Sequence, residues 1–129
     1  MERKTDIPSG PLVKPVIESE LWEVVRDWTA TVDGDVHTVP AGFRTDGASI
    51  PRFLWRICGH PMATRRFPAA VIHDWLYETL PDLSVSREYA DGQYRAALVA
   101  LGFPAWAARL EWLALRLFGG AAWKEAHGL

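Results

Sequence analysis

The residues best equipped for chemistry are His73, Asp74 and Tyr77, which form a His-Asp-x-x-Tyr run, and Asp91 further along the chain. On a helix at about 100° per residue, Ile72, Leu76 and Leu80 make one apolar stripe, with Val71 and Trp75 roughly opposite. His73 borders that stripe, with Tyr77 about 40° and Asp74 about 100° further round, so the three share one arc at the edge of a core. Asp91 interrupts the apolar face carried by Ala90, Tyr94, Leu98 and Leu101 on the next helical pattern. A carboxylate on such a face must be paired or hydrogen-bonded, because an unpaired buried charge is very costly. A histidine on the neighbouring helix is a natural partner. One ring nitrogen then donates to the carboxylate and the other is left to take a proton from water. Asp74, turned away from that pair, is available to a cation.

A purely structural reading stands beside this one. Arg87 and Arg95, one turn either side of Asp91, can satisfy it as helical pairs, His73 can bond a backbone carbonyl, and Asp74 can be solvated. What favours function is that three polar residues converge where apolar ones would pack better. Asp46, between Thr45 and Gly47, has two readings of equal weight. It joins Asp74 and loop carbonyls as oxygen ligands of a hard cation, or it caps the following helix or closes an Asx turn. Cys58 and His60 lack the further cysteines of a zinc site. Arg65-Arg66 reads as surface, and Arg109 and Arg116 as snorkelling arginines beside Trp112 on the last helix.

The elements that must position these residues follow from pattern and punctuation. Residues 1–15, with three prolines, read as an extended N-terminal arm. Residues 16–39 alternate as strands, with Asp33-Gly34 as a hairpin turn, and predict an antiparallel meander of two to four strands. Residues 43–48 read as a loop, and Ser49 caps a short helix through Trp55. Three longer helices are predicted over about 68–80, 86–101 and 104–118, the first and last opened by Pro68 and Pro104. The fold class is therefore α+β. A small N-terminal β-meander packs on three to four helices, as a single domain over 16–129.

Composition bounds the function. At 49% apolar residues, with seven Trp and five Phe, the chain has ample material for a core. A net charge of −2 argues against nucleic acid as a partner. The lone Cys58 excludes an internal disulfide and fits a reducing cytoplasm. The N-terminus carries no apolar signal region. No unbroken apolar run approaches the roughly 20 residues of a membrane span.

Two resemblances attach to these motifs. Phe43-Arg-Thr-Asp46-Gly-Ala-Ser49-Ile-Pro51-Arg52, the Ala69 to Tyr77 run and Ala90-Asp91 together closely resemble an uncharacterised domain family common in bacteriophages and prophages. That likeness spans roughly residues 22–123. It implies a phage-encoded protein in the host cytoplasm or incorporated in the virion, with virion proteins as partners. His73, Asp74, Tyr77 and Asp91 also resemble, in order, the helices of the phospholipase A2-like superfamily. This second likeness implies an ester hydrolase in which His73 is the base, Asp91 orients it, Tyr77 supports the network and Asp74 binds Ca2+. Residues 42–48, with Asp46, are the nearest substitute for that superfamily's calcium loop. The alternative is a virion structural or assembly protein that keeps the same residues as a buried hydrogen-bonded core.

Overall fold

A computed structural model describes residues 4–8, 10–17, 19, 21–45, 65–80 and 84–120, with side chains described from Ser86 onward in the last segment. Five strands precede three helices among these residues: β1 (Val13–Pro15), β2 (Trp22–Val24), β3 (Trp28–Val32), β4 (Asp35–Val39), β5 (Arg44–Thr45), α1 (Phe67–Thr79), α2 (Ser84–Ala100) and α3 (Ala105–Phe118). The α+β class and the three long helices agree with the sequence reading. The short helix expected after Ser49 lies outside the described residues.

The strands form two small antiparallel sheets instead of one meander, ordered β1-β2-β5 and β3-β4. The alternation that runs through Trp22, Val24 and Trp28 is broken by a bend at Arg26, and the Asp27 carboxylate beside it accepts the Ala41 N–H at 2.8 Å. The β3-β4 hairpin pairs Val32 with Asp35 and turns through Asp33 and Gly34, at φ 52° and 85°. Two positive φ angles in succession are what a two-residue turn matched to the strand twist requires. Strand β5 uses two residues of the segment expected to be loop. Lys14, Glu23 and Arg44 fall in register across β1, β2 and β5 and form a surface ion-pair row.

The arm is bonded to the sheets. Val13 pairs with Val24 in register, and Asp6 exchanges backbone bonds of 2.8 and 2.9 Å with Thr31.

Inward-facing Trp28, Ala30, Val32 and Val39 of the hairpin meet Ala69 to Ile72 and Leu76 of α1 and Tyr94, Ala97 and Leu98 of α2 in one core. Because α1 is buried on most of its circumference over Pro68 to His73, any polar group there enters the core. Helix α2 lies between α1 and α3. The site is assembled where all three meet. Among the described residues no helix is long and apolar enough to cross a membrane.

Candidate functional site

His73 and Tyr77, one helical turn apart on α1, present neighbouring rings on the same face, their centroids 4.1 Å apart. Both reach Asp91 on α2. His73 Nε2 donates to Asp91 Oδ1 at 2.7 Å, and Tyr77 Oη donates to the same oxygen at 2.6 Å. From α3, Arg116 Nη1 donates to Oδ2 at 2.8 Å. Asp91 is fully buried and His73 only 3% exposed, so the pairing that the sequence implied is made inside the protein. Tyr94 closes over the imidazole edge at 5.3 Å.

The environment sets the charge states. Burial pushes the His73 pKa below its ordinary value and outweighs the raising effect of Asp91, so the imidazole is neutral near pH 7. Burial alone would raise the Asp91 carboxyl, but its bonds with His73, Tyr77 and Arg116 outweigh that and hold it below the usual carboxylate range. Burial, then the Asp91 hydrogen bond, pushes Tyr77 upward, so it stays a phenol. With Nε2–H directed at Asp91, the lone pair of the neutral ring lies on Nδ1, to which no hydrogen bond is made among the described residues.

This distribution makes stability pH-dependent. Unfolding returns His73 to 6.5, so below that value the unfolded chain binds a proton that the folded chain refuses. The contribution of His73 is complete above pH 6.5 and is lost as pH falls through its folded value. Asp91, depressed from 3.8, adds to the loss at lower pH. Urea midpoints are expected to fall on acidification below pH 6.5, and His73→Gln to flatten the first part of that fall; a wild-type midpoint constant across the range would contradict the neutral assignment.

Three readings of the arginines change. Neither Arg87 nor Arg95 makes the helical pair with Asp91. Arg87 Nη2 donates to the carbonyls of Leu115 and Arg116 at 2.6 and 3.2 Å, and the Arg95 guanidinium lies over the Trp112 ring, 5.2 Å from its centroid. Arg116 does not snorkel into solvent but supplies the cation that Asp91 needs. Arg66, read as surface, is 1% exposed. It makes a bidentate bond to Glu111 at 3.0 and 2.9 Å, and Tyr94 Oη donates to the same carboxylate at 2.7 Å. Sequence reasoning missed this second buried network, yet its signal was present. Glu111 sits with Ala108 and Leu115 on one helical face, the same anomaly that exposed Asp91.

Asp74 points elsewhere, as its helical phase requires. It lines a groove of about 580 Å³ with Glu78 from α1 and with Gly42, Arg44 and Thr45 from the β5 segment. The groove and the dyad thus occupy different faces of adjacent residues. Asp46, the second expected cation ligand, lies outside the described residues, as do Cys58 and His60. Among the described residues no group of three or more His, Cys, Asp or Glu side chains is gathered to hold a metal.

The family described as "Protein of unknown function (DUF1353)" matches residues 22–115, which include every residue of the dyad network except Arg116. The uncharacterized protein y4jT of Sinorhizobium fredii (strain NBRC 101917 / NGR234) is 36% identical over 81 residues, covering 63% of this chain and 23% of that protein. The chain therefore spans less than a quarter of the length of the curated relative it matches. No solved structure matches it.

Proposed function

The chain belongs to the DUF1353 family, which brings no activity with it, and from the site we propose an ester hydrolase of phospholipase A2-like type that uses His73 as general base. The carrying observation is the 2.7 Å bond between His73 Nε2 and Asp91 Oδ1 with Tyr77 on the same oxygen. Those are the contacts that the His-Asp-x-x-Tyr resemblance implies for a base, its orienting carboxylate and the supporting phenol. In this reading Nδ1 of neutral His73 takes a proton from water as the water oxygen bonds to the ester carbonyl carbon. Asp91 stabilises the imidazolium that forms, as the carboxylate of a triad does. The same proton passes to the departing alkoxide when the ester C–O bond breaks, yielding acid and alcohol.

Among the described residues the groove's polar lining is made of oxygen donors and a guanidinium, and oxygen donors suit a hard cation such as Ca2+. Asp74, carbonyls of residues 42–45 and Asp46 are the proposed ligands. When bound, the ion would polarise the substrate carbonyl.

The test is hydrolysis of a short-chain phospholipid and of a simple aryl ester, with calcium or with chelator. Calcium-dependent turnover that His73→Ala abolishes is expected; turnover indifferent to His73→Ala would overturn the proposal. Calcium titration calorimetry on wild type and Asp74→Asn separates the metal from the base. Weaker binding by the variant is expected, and equal binding would remove Asp74 from the ion site.

A second reading rests on burial. His73 is 97% hidden and Asp91 has three donors on its two oxygens, which is how a core network is satisfied. Together with the motif likeness to phage and prophage domains, it supports a phage-encoded virion structural or assembly protein, partnered by other virion proteins. Recovery of the chain in purified particles favours this reading; recovery only in the host lysate counts against it.

A further inference from the structure

We propose that Arg116 is the positioning residue of the His73–Asp91 dyad, so that the orientation of the imidazole on α1 is set from α3. The inference rests on the catalytic reading of that dyad and adds a residue that neither the sequence motif nor the resemblance includes. Its starting point is the uneven loading of the Asp91 carboxylate. Oδ1 accepts from both His73 and Tyr77, at 2.7 and 2.6 Å, whereas the donor on Oδ2 is Arg116 at 2.8 Å. The last torsion of an aspartate is broad and nearly two-fold. A carboxylate held at one oxygen can swing about it, and the Nε2–H bond swings with it. A charge-assisted bond to the other oxygen fixes the plane.

Arg116 is itself fixed. Arg87 of α2 donates to the carbonyls of Leu115 and Arg116, tying down the last turn of α3. At the end of that turn Gly119 is buried against the site. A Cβ placed there would lie 2.9 Å from Tyr77 Oη and 2.5 Å from the Leu115 carbonyl oxygen. Only a glycine lets the turn approach closely enough for Arg116 to reach Asp91 while Tyr77 keeps its own bond. The arginine is 28% exposed and the aspartate 0%, so the clamp reaches inward from the rim.

The experiment reads the imidazole N–H proton of His73 by NMR, without substrate, in wild type, Arg116→Gln, Arg116→Lys and Arg109→Gln, with hydrolysis measured in parallel. Arg109, exposed on the same helix, is the control. In Arg116→Gln the downfield Nε2–H resonance is expected to move upfield and its exchange with water to quicken about tenfold, the loss for one weakened hydrogen bond. Turnover falls through kcat with KM unchanged, and Arg116→Lys restores most of both. If Arg116→Gln does not fold, Arg116→Met, which keeps much of the apolar stem and removes the donor, is read in its place. A His73 resonance identical to wild type in the folded variant would overturn the positioning role, whether or not the chain hydrolyses esters. A displaced resonance in a chain without hydrolysis upholds the clamp and removes only the catalytic reading beneath it.

Discussion

Glu111→Ala is expected to lower the unfolding free energy by about 3–5 kcal/mol, the loss that follows when one partner of a buried ion pair is removed. Arg66 and Glu111 are each about 1% exposed, and their two bonds, at 3.0 and 2.9 Å, span the start of α1 and the middle of α3. Tyr94 of α2 donates to the same carboxylate, so a single substitution disturbs all three helices. The alanine removes this carboxylate from both the buried guanidinium and the Tyr94 phenol, while removing side-chain volume from a closed core. A combined Arg66→Met, Glu111→Leu, Tyr94→Phe chain should lie much closer to wild type than the single variant, because it removes the desolvated charges together with their attraction. Urea unfolding followed by tryptophan fluorescence measures both. A single variant within about 1 kcal/mol of wild type would show that the pair carries no more than an exposed one.

Asp91→Asn is expected to cost more in function than in fold. The amide matches the carboxylate in shape, yet it cannot present oxygens to Arg116 and to the His73–Tyr77 pair together; with its oxygen on Arg116, its NH2 faces Nε2 and the Tyr77 hydroxyl, which can turn to accept from it. With its NH2 turned to Nε2, the ring takes the opposite tautomer and Nδ1 carries the proton it should accept. In a Ser-His-Asp site the corresponding change lowers kcat by roughly 10⁴-fold, and a comparable fall is expected here. A loss below about tenfold would show that Asp91 does not hold the tautomer.

The parts of this site that could be read from the sequence are those carried by a single helix. Pro68 and Pro104 marked helix starts, and the spacing of Ile72, Leu76 and Leu80 set the phase that placed His73 and Tyr77 together and Asp74 apart. Asp91 stood out as a carboxylate on an apolar face, and the structure gives it His73 and Tyr77. Arg116 could not be assigned in this way. Helical spacing shows i,i+4 neighbours, so Arg87 and Arg95 were the visible cations, while the pairing across α2 and α3 depends on how the helices cross. Glu111 is legible by the rule that finds Asp91, because it shares one helical face with Ala108 and Leu115. The split of the strands into two sheets was hidden because the alternation continues in phase from Val24 to Trp28, across a bend that Asp27 stabilises through Ala41.

The most direct test of the central claim is the pair of turnover rates, wild type and His73→Gln, on one ester at neutral pH in calcium. Turnover is expected in the wild type, with a fall of about 10²–10⁴-fold in the variant, the range supplied by a positioned general base. Equal rates, or a folded wild type that turns over no ester, would contradict it.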